Sequence, residues 1–436
     1  MEQRTPKDLY ETLMKPVSAI VAQMESDGIR IDKNSALELE VQFNQKILEH
    51  YKELVNNIGI RFNYRSSLQL QYVLEKVLGH KLTKLTKKGG KALDSEVISE
   101  IVEMDKRLAP LRDMKHYSKL ISTYIRGPLN NLRPDGRIMV NWQLLGTETG
   151  RWSSRMPFPV QVIPREKRMR NLIIPEDGYV LGSWDFDQAE LYVLAYYSGD
   201  AFLKEGALGK KDMHAYGAAL FYECSPDEII EGRKSSDEKI RNKYTEMRQI
   251  SKNGMFLLVY RGGPYALSKT VGIPLNKAEK FHNAFLKKAP KIMEWSNSVV
   301  NKLERDNFVI SCYGRIRRFP LYDMLSENEQ EKAQKEAPNA LIQGTSVDFC
   351  SYSLIEACAR LKKQGFMDID KKKRVKALVQ KHDELVFEIP EDWIDKVAPI
   401  ITEAMISPKL PMNIPMSTSP EFGYKYGEMK KYNLEK

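Results

Sequence analysis

Two aspartates about two hundred positions apart carry the strongest chemical suggestion in the chain: Asp185, in GSWDFDQAEL, and Asp383, in LVQKHDELVFEIP. Each sits where an apolar run with strand character gives out, a place from which a fold can project a carboxylate into a cleft. Two carboxylates brought together in this way could hold a pair of Mg²⁺ ions about 3.5–4 Å apart and drive in-line phosphoryl transfer. Asp383 also has a plainer reading, because acidic residues are common at hairpin turns. The adjacent His382 and the apolar strands on both sides favour the chemical one.

The stretch around residue 250 supplies something for such a centre to act on. Arg248, Lys252, Phe256 and Tyr260 recur at a four-residue interval, so on a helix they share one face over about 18 Å. Two cations followed by two aromatic rings match a nucleoside triphosphate, with charge for the phosphates and rings for the base. The alternative is two core aromatics beside two solvated cations. Glycines at 262 and 263 end the helix. Gly254, inside it, costs about 1 kcal/mol relative to alanine.

The elements that must position these groups follow from periodicity. Residues 8–56 read as amphipathic helices: Leu13, Val17, Ile20 and Met24 form one stripe ending at Gly28, and a second helical run spans Asn34 to about Asn57. Residues 137–145 alternate like a strand, and a Gly/Ser/Pro-rich segment follows. Residues 178–185 form an apolar strand, and 187–198 a helix stopping at Gly199. The region 212–305 is mostly helical. Residues 375–380 and 385–389 form a hairpin whose turn carries His382 and Asp383. The layout is α+β: helices first, then a central sheet built from distant segments with a helical insertion between its strands.

Composition sets the outer bounds. The chain has 436 residues, enough for two or three subdomains, and its 29% charged and 42% hydrophobic residues are those of a folded globular protein. A formal net charge of +10 favours a polyanionic partner. The HKLTKLTKKGGK segment at 80–91, which contains Lys84, Lys87 and Lys88, is either a solvated loop or a flexible arm for phosphates. Four scattered cysteines form no CxxC pair, which argues against a zinc site or a disulfide framework. With no signal-like or membrane-spanning apolar run, a soluble, cytoplasmic protein without a membrane partner is expected.

Three blocks together resemble the family A DNA polymerases, the group of bacterial DNA polymerase I and its phage relatives. DFDQAELYVLAYYSGD (185–200) is similar to motif A, RQISKNGMFLLVY (248–260) to motif B and QKHDELVFE (380–388) to motif C. TETGRWSS (147–154), VQVIP (160–164), DMH (212–214), YGRIRR (313–318) and NALIQGTSVD (339–348) stand in the expected order, and Leu9 to about Arg126 resembles the thumb. The resemblance thus covers almost the whole chain. It implies a right-hand polymerase, with an antiparallel palm sheet, helical thumb and helical fingers. The implied division is 1–29, a helical segment packing on the palm; 30–135, thumb; 136–199, first part of the palm; 200–345, fingers; and 346–436, second part of the palm.

The implied roles follow position by position. Asp185 and Asp383, with the Phe186 carbonyl, would bind two Mg²⁺ ions, for which Mn²⁺ is a substitute. Arg248, Lys252 and His214 would hold the incoming phosphates, with Lys252 also donating a proton to the leaving group. Phe256, Tyr260 and Gln188 would complete the dNTP site. Glu190 would crowd a ribose 2′-OH, although Asp187 and Glu190 also have capping-box spacing. Arg151, Gln343 and His382, with Asn339 nearby, would contact the primer terminus and minor groove. Lys84, Lys87 and Lys88 would grip duplex phosphates.

The departures are Tyr192, where motif A usually has arginine, and Leu257 and Arg261, where the bacterial enzymes have glycines. This is a divergent, phage-type pattern. The thumb-like segment begins within ten residues of Met1. The expectation is therefore a monomeric DNA-directed DNA polymerase without its own 3′–5′ or 5′–3′ exonuclease domain, with proofreading or processivity supplied in trans if at all. Its partners would be primer-template DNA and dNTPs. The rival readings are a single-subunit RNA polymerase-like enzyme, against which Glu190 argues, and an inactive primer-template-binding protein, against which the retained Asp185, Asp383, Arg248 and Lys252 argue.

Overall fold

A computed structural model describes residues 4–86, 89–209, 211–259, 261–414 and 416–433, with the backbone alone for Leu220, Phe256 and Val259. At its centre is a five-stranded antiparallel sheet, in the order Lys430–Lys431, Thr418–Gly423, Tyr179–Phe186, Glu384–Pro390 and Lys376–Lys381. The two strands read from sequence as ending in aspartates are neighbours, with Asp185 opposite Glu384. They read as continuous apolar runs because both faces are covered. Trp184 is fully buried, edge-on to Phe387 at 5.8 Å and Phe422 at 5.4 Å, and its indole N–H donates to the Thr402 hydroxyl at 2.8 Å. Gly182 is required beside it: a Cβ there would lie 2.8 Å from both the Phe422 and Trp184 rings. Trp184→Ala would cost about 3–5 kcal/mol.

Helices back this sheet. The longest, Glu327–Lys363, starts from a capping box between Ser326 and Glu329 and runs about 55 Å. Lys15–Asp27 lies against it and against the hairpin, and Arg374 donates to Asp27 at 3.1 Å. That helix stops at Gly28 (φ 67°), where a Cβ would meet the Ile138 carbonyl oxygen at 2.8 Å. The long helix Lys33–Ile58, capped by Asp32 and closed by left-handed Gly59, packs along Ala109–Lys119 to form a helical lobe. A second lobe, inserted between the central strands, contains Met213–Tyr222, Glu238–Val259, Leu275–Lys288 and Pro290–Asp306. Among the described residues, no helix is long and apolar enough to cross a membrane.

One expected strand is two. Arg137–Ile138 pairs with Ile29–Arg30, whereas Asn141–Gln143 pairs with Ser153–Arg155. Arg137 turns inward, donating to the Gly28 carbonyl at 3.0 Å and pairing with buried Glu388, while Trp142 packs on Trp152. Residues five apart face opposite sides of one strand, so burying both breaks the run, and Met139 is left exposed at the break.

Candidate active site

The hairpin and its neighbour bring the two aspartates to one end of the sheet, on interior strands. His382 adopts a left-handed φ of 60° at the turn, which swings Asp383 beside Phe186; the Phe186 N–H donates to the Asp383 carbonyl at 3.2 Å. On the other flank, the Thr418 hydroxyl donates to the Asp185 carbonyl at 2.7 Å. Burial pushes the Asp185 carboxyl well above its ordinary pKa, and the charges of Asp383, Glu384 and Asp187 push it further. Asp383 is raised as well, by burial first and by the Glu190 charge among its neighbours. Crowded carboxylates of this kind fit hard divalent cations. Among the described residues there is no ready-made cluster of three or more metal-ligating side chains. Mg²⁺ commonly takes one or two carboxylates, with water and substrate oxygens completing its shell.

Facing the carboxylates across a cleft of about 800 Å³ are Arg248 and Lys252, one turn apart on Glu238–Val259, and His214 near the start of Met213–Tyr222. Arg248 donates through Nε to Asp212 at 2.7 Å. His214 is buried, and burial first, then Arg248 and Lys252, lower its pKa to about 3. Its imidazole is therefore neutral in the ligand-free cleft. His382 is lowered to about 4, by burial first and then by Arg151. A second cleft of about 830 Å³ opens from the same aspartates along Arg165, Lys167, Arg170 and Lys381. Burial, with Arg170 next, lowers Lys381 to about 8.

Glu190 and Gln188 also line the first cleft. Glu190 accepts from Arg151 Nη2 at 2.6 Å. The Arg151 carbonyl accepts from the Thr147 hydroxyl at 3.2 Å, and the preceding Gly150 has a φ of 81°, where a Cβ would lie 2.5 Å from the Arg315 guanidinium. Arg315 is itself fixed by fully buried Asp348, at 3.0 Å from Nε. The alternative role for Glu190, a capping box with Asp187, does not form. The helix Ala189–Ser198 starts after Gln188, whose backbone is left-handed and whose side chain makes no cap bond. The Asp187 carboxylate instead accepts from Ser417 at 3.2 Å, and Ser417 also meets the Tyr192 hydroxyl at 3.3 Å.

Not every expected residue converges here. Asn339 and Gln343 lie on Glu327–Lys363, outside the lining of both clefts. Lys84 is occupied by an ion pair with Asp94 at 3.0 Å and a second with Glu96, which weakens it as a phosphate contact. Lys87, Lys88 and Tyr260 fall outside the described residues, and Phe256 is placed on its helix by backbone alone. The helix closes with Gly262 N–H to the Leu257 carbonyl at 2.7 Å and Arg261 N–H to that of Leu258 at 3.0 Å. Arg261 takes the left-handed position (φ 62°) that glycine usually fills.

Sequence reading gave no site role to Asp187, Asp212, Ser417, Thr418 or Lys381, all of which line the two clefts. The acids stood inside blocks that had already been singled out, but the serine and threonine carried no local signal.

Acids borne at strand ends thus face cations borne on helices across one cleft, and the chain belongs to DNA polymerase family A, whose sequence profile matches residues 33–428. It therefore has the right-hand polymerase fold. It is 28% identical to DNA polymerase I of Caldicellulosiruptor bescii over 97% of this chain and 47% of that protein. It is 30% identical to the thermostable DNA polymerase I of Thermus thermophilus over 95% of this chain and 48% of that one. The chain spans about half the length of these relatives. A solved structure described as the POL domain of Pol1 from M. smegmatis in complex with DNA primer-template and dNTP matches with a TM-score of 0.80 at 26% identity, covering 95% of this chain and 70% of that one.

Proposed function

We propose that this chain is a template-directed DNA polymerase that adds deoxynucleotides to a primer 3′-OH, and that the cleft between Asp185/Asp383 and Arg248/Lys252 is where it does so. The observation that carries the reading is the convergence of these four side chains, from segments far apart in sequence, on one cleft. In this reading the thumb spans 30–135, the fingers 200–345, and the palm 136–199 with 346–436, with 1–29 packed on the palm. Primer-template DNA and dNTPs are its partners, and the cytoplasm is its compartment.

Asp185, Asp383 and the Phe186 carbonyl would hold two Mg²⁺ ions, or Mn²⁺ in their place, which supply charge stabilisation at the transferring phosphoryl group and acidify the attacking hydroxyl. The protein's own groups do the rest. Arg248 and Lys252 neutralise the triphosphate, His214 donates a hydrogen bond to it, and Lys252 protonates the departing pyrophosphate. Glu190, braced by Arg151, occupies the space of a ribose 2′-OH. His382, at the turn, faces the primer terminus.

The test is extension of a labelled primer on a defined template with Mg²⁺ and each dNTP supplied singly. The reading predicts addition of the template-complementary nucleotide alone. No addition, or addition without regard to template, overturns it, and equal use of ribonucleotides would favour an RNA polymerase-like enzyme.

A further inference from the structure

Asp212 occupies a position that the catalytic reading does not use. It is the N-cap of Met213–Tyr222: its Oδ1 accepts the Ala215 N–H at 3.2 Å, which fixes the first turn of the helix bearing His214. Its Oδ2 accepts Arg248 Nε at 2.7 Å and lies 3.4 Å from Arg233 Nη1. One carboxylate therefore ties together two elements from which the triphosphate cation wall is built. Burial alone would raise its pKa; the Arg248 bond and charge and the Ala215 amide outweigh that and hold it below the ordinary value, so it is an anion at neutral pH.

The contact at Nε matters for the geometry of Arg248. A guanidinium held at Nε keeps its two terminal nitrogens available as a fork, the geometry that suits phosphate oxygens. Among the described residues, Arg248 makes its hydrogen bond through Nε, and its side chain lines the cleft with Lys252 and His214.

We propose that Asp212 is a positioning residue for the incoming triphosphate, orienting the Arg248 fork while fixing the helix start that presents His214. This rests on the polymerase reading above. A carboxylate close to a triphosphate site could also act in the opposite sense, as an anion competing for Arg248. The two roles differ in sign, so one substitution separates them.

The experiment uses the full chain on a primer-template whose primer ends in a dideoxynucleotide, so that no chemistry follows. Binding of the complementary dNTP is read by fluorescence of a labelled template. Asp212→Asn, which keeps a cap acceptor and the side-chain shape, should raise the dNTP Kd about tenfold. With an extendable primer, the rate at saturating nucleotide should stay within about threefold. In an Arg248→Lys background, where the Nε contact is gone, adding Asp212→Asn should cost less than about twofold, because the effect runs through that contact. Equal or tighter dNTP binding by Asp212→Asn overturns the proposal, as does a tenfold loss that persists in the Arg248→Lys background. Absence of dNTP binding by the unsubstituted protein would instead overturn the polymerase reading itself. Should Asp212→Asn fail to fold, Asp212→Ser, which also caps well, carries the same predictions.

Discussion

The two walls of the cleft are built in different ways. The acidic wall is fixed by backbone: Asp185 and Asp383 end adjacent strands whose register is locked by seven paired positions, with buried Trp184 packed beneath. The basic wall is fixed by side chains. Arg248, Lys252 and His214 stand on two helices of an inserted lobe, and the Asp212 carboxylate links Arg248 to the helix that bears His214. The ends of interior strands can hold carboxylates in mutual repulsion because those strands cannot yield; a helical wall pinned by ion pairs is free to adjust to a ligand. The acids should therefore govern the chemical step and the cations the capture of the nucleotide, with Lys252 reaching into both.

Substitutions can sharpen that contrast. Beyond the carboxylates themselves, the largest effect is expected from Lys252→Ala, because Lys252 faces both clefts. Single-turnover incorporation should slow by about 10²–10³-fold, and a loss confined to nucleotide affinity would remove it from the chemical step. Glu190→Ala should narrow the preference for deoxy- over ribonucleotides by about 10–100-fold, measured as the ratio of the two kcat/KM values. Arg151→Ala should give part of the same phenotype, since Arg151 braces Glu190.

The smallest effect tests strain in the acidic wall. Asp185 has a folded-state pKa raised above its unfolded value, chiefly by burial. Its ionised form thus destabilises the metal-free fold. The penalty is full above the raised pKa and shrinks as the pH falls through that value toward the ordinary carboxylate range. Asp185→Asn should raise the metal-free Tm by about 1–3 °C at alkaline pH, and the advantage should fade as the pH is lowered. A difference that does not change with pH would assign the gain to packing instead.

The sequence revealed the two walls unequally. The aspartates were legible because an apolar strand ending at an acid is a local pattern, and the hairpin at His382–Asp383 formed as its spacing predicts. The helix at 238–259 was legible from its four-residue recurrence. What joins the elements was not. Asp212 reaches Arg248 across thirty-six positions and Thr418 reaches Asp185 across more than two hundred, and no local periodicity encodes such contacts. The capping-box spacing at Asp187–Glu190, the alternative role for Glu190, is not realised, because the turn puts Gln188 in a left-handed conformation and gives Asp187 to Ser417. The run at 137–145 misled because alternation says nothing of which partner each half meets.

The most direct test of the two-wall account compares Asp383→Ala with Arg248→Ala in single-turnover incorporation of one complementary dNTP across a range of concentrations with Mg²⁺. The account predicts that Asp383→Ala abolishes the rate at saturating nucleotide while dNTP binding to a dideoxy-terminated complex is retained. It predicts that Arg248→Ala chiefly raises the nucleotide concentration for half-maximal rate. Extension by Asp383→Ala at a rate near that of the unsubstituted protein would contradict it.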